Sequence, residues 1–210
     1  MAKFTKKSIE RRNVIMEEAE KLFVEKGFEK TTVKDIADKS GVAKGTFYYY
    51  FDTKEDIITA LLEKRYKKTE EKALRIAESD RFTPIEKIER ILLRLIFDRQ
   101  DNFKIYEFFK IDENAKIMKK RNKEFRDKFI PIFTEVVKEG IKKGDFETDY
   151  PEEVTEIMFM GVDGFLHKHY ATLTTEEMYK GKFSAVEEVM SRSLNLKDRK
   201  IDLSLMKPEK

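Results

Sequence analysis

Apolar residues recur every three or four positions along this chain, and the pattern is helical nearly from end to end. Ile15, Ala19, Leu22 and Phe23 form one stripe, and Gly27 stands where a helix closes on a left-handed residue. Thr32-Val33-Lys34-Asp35 is a capping-box pattern. It opens a short second helix with Val33, Ile36 and Ala37 facing inward. Ser40-Gly41-Val42 reads as a tight turn, and Ala43 to Phe51 as a third short helix. Thr53-Lys54-Glu55-Asp56 opens a long helix whose stripe begins at Ile58, Leu61 and Leu62 and runs to about Ser79.

Downstream, Thr83-Pro84-Ile85-Glu86 supplies a cap, a proline at the first helical position and a glutamate at the third. Ile88, Ile91, Leu92 and Leu95 continue that helix. A long stripe of Phe125, Phe129, Ile132, Phe133, Val136 and Val137 ends at Gly140 and Gly144. Pro131 lies inside it, and its missing N–H predicts a kink or break. Pro151 starts a further helix carrying Val154, Ile157, Met158, Val162, Phe165 and Leu166, and Ser184-Ala185-Val186-Glu187 caps a last one. After Asn195 the chain reads as polar and frayed. There is no repeat, no low-complexity stretch and no strand pattern, so the expected fold class is all-α.

Composition removes several function classes. The chain has no Cys, which excludes disulfides, thiolate nucleophiles and cysteine metal sites. The two histidines, His167 and His169, are two apart and point to different helix faces, so no metal site is expected. No Gly-rich phosphate loop or nucleophile–base pair stands out, and the expectation is of neither an enzyme nor a cofactor. Apolar runs such as Ile157 to Val162 fall far short of the roughly 20 residues of a membrane span. The basic start MAKFTKKSIERR has no apolar stretch behind it, so a cytoplasmic protein without membrane association is expected. The net charge is +3, with 11 Lys/Arg against 8 Asp/Glu in the first fifty residues and 33 of each in the rest. All of the excess is N-terminal, a modest electrostatic footprint for phosphate backbones.

The segment Thr31 to Lys54, TTVKDIADKSGVAKGTFYYYFDTK, carries the chemistry. Two short helices flank a glycine turn, which is a helix-turn-helix pattern. Ala37 is small enough for a close helix crossing, Gly41 tolerates positive φ, and Ile36, Val42 and Phe47 can pin the second helix to the first. At about 100° per residue, Phe47, Tyr50 and Phe51 fall on one side of that helix. Lys44, Gly45, Tyr48 and Tyr49 fall on the other. A cation, a bare stretch of backbone and two phenols make sense against a DNA groove. Lys reaches guanine O6/N7 or phosphate, glycine permits close approach, and tyrosine offers a hydroxyl to phosphate and a ring face to thymine methyls.

KGTFYYYFDTKEDI resembles the recognition helix and following turn of the TetR family, and LFVEKGFEKTTVKDIA resembles the rest of that family's N-terminal domain. The resemblance covers about residues 9 to 65. A weaker echo, GIKKGDFETDYPEEVTEIMFMGVDG, lies downstream. The resemblance implies DNA contacts at Lys44, Gly45, Tyr48 and Tyr49, a phosphate contact at Lys54, and backbone contacts at Thr32 and Lys34. Tyr50 stands where the family often has His. It also implies a helix-turn-helix DNA-binding domain over residues 1–55, a helical ligand-binding and dimerisation domain over 56–200, and a polar tail over 201–210. The partners implied are a double-stranded DNA operator, a second copy of the chain and a small-molecule effector. Phe97, Phe108, Phe109, Phe125, Phe129, Met158 and Phe159 are the candidates to line an effector pocket. Apolar faces of the segments 122–143 and 152–170 are the candidates for the dimer contact. The expected function is that of a repressor released from a pseudo-palindromic operator by a hydrophobic effector. A ligand-dependent activator, or a helical ligand-binding protein that no longer binds DNA, would share most of these features.

Overall fold

The computed structural model describes residues 5–100, 115–170, 178–196 and 199–204. Among them every regular element is helical. The helices are α1 (Lys6–Lys26), α2 (Val33–Lys39), α3 (Lys44–Tyr50), α4 (Lys54–Ala77), α5 (Pro84–Gln100), α6 (Ala115–Lys143), α7 (Pro151–Tyr170) and α8 (Ser184–Ser193), with a π-helical turn (Met178–Phe183) leading into α8. Among the described residues no helix is long and apolar enough to cross a membrane. The described residues form two compact units, one of 5–67 with 115–119, the other of 68–100 with 120–170, 178–196 and 199–204. The first turns of α4 therefore belong with the N-terminal helices.

In the first unit the predicted stripes converge. Ile15, Met16 and Ala19 of α1, Ile36 and Ala37 of α2, Phe47 of α3, and Ile57, Ile58 and Leu61 of α4 are all buried. Each large side chain among them contributes roughly 1.5–3 kcal/mol of transfer free energy. The turns between these helices are closed by specific bonds. Gly27 takes φ 86° and its N–H reaches the Phe23 carbonyl. Thr31, fully buried, donates its hydroxyl to the Gly27 carbonyl at 2.7 Å. Thr32 caps α2 reciprocally with Asp35. Lys26, followed by the Thr32 hydroxyl and N–H, holds the Asp35 carboxyl well below the usual carboxylate range. Gly41 takes φ 64°, the positive value expected of the turn, while the Val42 N–H returns to the Ala37 carbonyl at 3.0 Å.

The α1–α2 turn is also held from α4. Lys54, the first residue of α4, donates to the carbonyls of Phe28 (2.9 Å), Glu29 (3.4 Å) and Thr31 (3.4 Å). Its ammonium lies 4.2 Å from the centre of the Phe28 ring.

In the second unit α5 opens with the predicted capping box. Glu86 accepts from the Thr83 N–H at 2.8 Å, and its own N–H is capped by the Thr83 hydroxyl. Two expectations are corrected here, the first in part. Pro131 does not break α6, which continues through it. The lost backbone bond, worth about 3 kcal/mol in an isolated helix, is offset by burial of Phe129, Ile132, Phe133, Val136 and Val137 around it. Gly144, at φ 80°, follows the end of α6. Gly140 lies one turn earlier and serves packing instead, since a Cβ there would run into the ring of buried Phe146.

The second correction concerns the tail. Ile201 and Leu203 are buried, not frayed. The reason is polar as well as apolar: the N–H groups of Ile201, Asp202 and Leu203 find the Ser191 hydroxyl (2.9 Å) and the carboxylates of Glu89 (2.9 Å) and Glu187 (2.7 Å). Backbone outside a helix can be buried once its donors are satisfied.

Substituting Lys54 tests the tie between α4 and the α1–α2 turn. Lys54→Ala removes a half-buried charged donor to three carbonyls and is expected to lower unfolding stability by about 1–2 kcal/mol. Lys54→Met, which keeps the stem over Phe28, should recover part of the loss in urea denaturation.

Candidate nucleic-acid interface

Helix α3 has only seven residues, and its N-cap Ala43 supplies no side-chain cap. It is placed by its inner side. Phe47 is fully buried and Phe51 nearly so, with their rings 6.1 Å apart. Tyr50 is half-buried on the same side, as the helical wheel indicates. The Val42 turn bond and contacts with α2 complete the anchorage.

The outer side is the predicted set. Lys44 and Gly45 are exposed, Tyr48 is 48% exposed and Tyr49 67%. The Lys44 ammonium lies 5.9 Å from the Tyr48 ring centre. Tyr48 meets Phe47 edge-on at 5.5 Å, and Tyr49 meets Tyr50 edge-on at 4.9 Å. A Cβ on Gly45 would meet no atom within 4 Å, so nothing inside the protein requires glycine there.

Charge is distributed unevenly around the unit. Lys21 pairs with Glu18 (2.6 Å), Lys26 with Asp35 (2.7 Å), Lys39 with Glu25 (3.0 Å), Lys64 with Glu17 (3.3 Å), and Arg65 with Glu20. Lys34 and Lys44 enter no ion pair among the described residues. These two cations, on α2 and α3, are thus available to an outside anion.

The other predicted residues fall in three places. Thr32 and Lys34 lie exposed at the start of α2, with the Thr32 hydroxyl engaged in its cap. Lys54 does not present a free ammonium, being committed to the carbonyls described above. Thr31 and Gly27, which hold the entry to α2, carry no chemical signal of their own, and the sequence pattern passes over Thr31.

In the second unit a small apolar pocket of about 30 Å³ lies between α5, α6 and α7. Of the predicted aromatics, Phe125 and Phe159 line it, stacked 5.1 Å apart. Phe129 is wholly buried behind Phe125 and does not line it. Met158 lines a different, surface groove between α7 and α8. Phe108 and Phe109 lie outside the described residues, as does the side chain of Phe97. Leu92, Leu95, Ile96, Asp163 and Leu166 are among the other residues of the pocket. Periodicity marks most of these as core and cannot separate a pocket wall from solid packing.

Residues 15–61 match the family profile described as bacterial regulatory proteins, tetR family. The chain is 26% identical over 167 residues to the HTH-type transcriptional repressor BepR of Brucella suis, covering 76% of this chain and 80% of that protein. It is 28% identical over 150 residues to the HTH-type transcriptional repressor KstR2 of Rhodococcus jostii, covering 69% of this chain and 72% of that one. A solved structure of a TetR/AcrR-family regulator from Thermobifida fusca superposes on 90% of this chain and 100% of its own, with a TM-score of 0.65 and 27% identity. With the helix-turn-helix in place, residues 15–61 match the tetR-family profile, and over both units the chain is similar to TetR-family transcriptional regulators.

Proposed function

We propose that the protein is a homodimeric repressor that reads a pseudo-palindromic operator through α3 and leaves it when a small hydrophobic molecule binds in the second unit. The observation that carries the DNA reading is the outer side of α3. Exposed Tyr48 and Tyr49 stand beside an ion-pair-free Lys44 and an open Gly45, on a helix whose other side is locked into the core. In this reading Lys44, Gly45, Tyr48 and Tyr49 enter the major groove. Thr32 and Lys34 meet the flanking backbone. Lys54 acts by holding the α1–α2 turn, and so the start of α2, in place. Two such helices in a dimer enter successive major grooves about 34–36 Å apart. Repression is the sign of control in the names of both relatives described above.

The effector reading rests on the apolar lining of Leu92, Ile96, Phe125, Phe159 and Leu166, which matches an apolar or aromatic molecule in chemistry and would have to open beyond its present small volume to admit one. Helix α4 runs without interruption from the first unit into the second, which makes it the natural carrier of the response. A ligand shifts the equilibrium only by its differential affinity for the two states. An effector that saturates the protein and leaves operator affinity unchanged would remove this part of the reading.

The dimer contact of this reading centres on the second of the two candidate segments. Phe125, Phe129, Phe133, Val136 and Val137 of the first are buried within their own unit. The exposed apolar positions are Ile157 and Met160 on α7 and Val189 on α8, with Val154, Gly161 and Phe165 in the groove beside them. Ile157 is 73% and Val189 54% exposed, a liability on a monomer and the expected centre of a symmetric contact.

Selection from a random duplex pool in moderate salt tests the function directly. Wild type is expected to recover an inverted repeat, and a Lys44→Ala/Tyr48→Ala variant to lose it. A folded dimer that enriches nothing would overturn the DNA reading. Gly45→Ala separates the groove from the fold. In the free protein it should raise helix stability by up to about 1 kcal/mol, because the added methyl meets open space, yet it should weaken operator binding about ten-fold or more. Equal operator affinity would mean that α3 does not approach DNA closely at Gly45. For assembly, Ile157→Asp/Val189→Asp is expected to sediment as a monomer at micromolar concentration while retaining wild-type helicity.

A further inference from the structure

The first turns of α1 meet the C-terminal end of α3. The Ser8 hydroxyl donates to the Tyr50 hydroxyl oxygen at 3.2 Å. Tyr50 in turn braces Tyr49, the most exposed ring of α3. One turn further along α1, the Arg12 guanidinium lies 4.8 Å from the centre of the Phe51 ring and donates to the Met16 sulfur. Two contacts therefore fix the start of α1 against the C-terminal end of α3. This also gives a physical account of tyrosine at position 50, since its hydroxyl spans to Ser8.

Lys7 and Arg11 lie beside that junction. Arg11 is three residues on from Ser8, and Lys7 and Arg11 are four apart, so the three form neighbouring positions on one helix face. Both cations are exposed, and neither enters an ion pair among the described residues. Glu10, three residues on from Lys7, is the acidic residue of this stretch, and it too enters no ion pair among the described residues. Against it stand Lys6, Lys7, Arg11 and Arg12, so the start of α1 is locally basic. Farther down the same helix Glu17, Glu18 and Glu20 each pair with a lysine or arginine. The unbalanced cations of α1 are thus those of the turns that meet α3.

We propose that Lys7 and Arg11 form a phosphate clamp that extends the DNA interface onto α1, positioned by the Ser8–Tyr50 hydrogen bond. The proposal rests on the reading of α3 as the DNA-contacting helix. Lys7 and Arg11 would neutralise backbone phosphates flanking the groove that α3 occupies, adding affinity without sequence preference. Tyr50 and Ser8 are positioning residues, setting where the two cations stand relative to Tyr49.

The test is the salt dependence of binding. Equilibrium titration of the selected operator from about 50 to 200 mM salt gives a slope that falls by about 0.9 for each phosphate contact removed. Lys7→Gln/Arg11→Gln is expected to lower the slope by about two per DNA-binding unit while preserving the preference for operator over scrambled duplex and the thermal midpoint. An unchanged slope would overturn the clamp while leaving the α3 reading intact. Absence of selective binding by wild type would instead overturn the reading itself, and the clamp with it. Tyr50→Phe, which removes only the hydroxyl, should weaken wild-type binding several-fold and have no further effect in the Lys7→Gln/Arg11→Gln background. Additive losses would show that Tyr50 acts independently and would overturn its positioning role.

Discussion

A seven-residue helix is far too short to hold itself together in water, and the rest of this structure depends on how that is overcome at α3. Phe47 and Phe51 are driven into a core shared by α1, α2 and the first turns of α4, and Gly41 lets the chain turn sharply enough to bring them there. With its inner side so committed, α3 can carry an outer side chosen for chemistry alone. Lys44, Gly45, Tyr48 and Tyr49 contribute little to stability, and Gly45 lowers it.

The same division appears in the charges. Lys21, Lys26, Lys39, Lys64 and Arg65 are each met by a carboxylate one helix turn or one helix away. Lys7, Arg11, Lys34 and Lys44, on the start of α1 and on α2 and α3, are met by none among the described residues. A net charge of +3 is weak evidence for a nucleic-acid partner. Local pairing is stronger evidence, because it shows where the field is left unbalanced. Lys54 illustrates the converse. It has the right residue type in the right place for a phosphate contact, yet its ammonium is held by three carbonyls of the α1–α2 turn.

The second unit joins two kinds of apolar surface that resemble each other in sequence. Phe125, Phe129 and Phe133 on α6 close a core with a pocket at one edge, whereas Ile157 and Val189 on α7 and α8 face outward. The first encloses a small apolar space and the second lies open to solvent. Residues 201–203 add a third device, a short strap whose N–H groups are met by Glu187 and Ser191 of α8 and by Glu89 of α5.

By itself the sequence determined the helices, their caps, the glycine turn and the two sides of α3. These depend on periodicity and on interactions within three or four residues, which a linear pattern records. The likeness to the tetR-family profile was legible too, since many positions of residues 15–61 fit in one register. Only the tertiary structure decided which apolar stripe is core, pocket wall or exposed face, because all three share one spacing. Tertiary contact likewise decided that α6 passes through Pro131, that Gly140 makes room for Phe146, that Ile201 and Leu203 are buried, and that Tyr50 reaches Ser8. Each depends on a partner distant along the chain or packed around it, and the energy of such a contact is invisible until the chain has folded back upon itself.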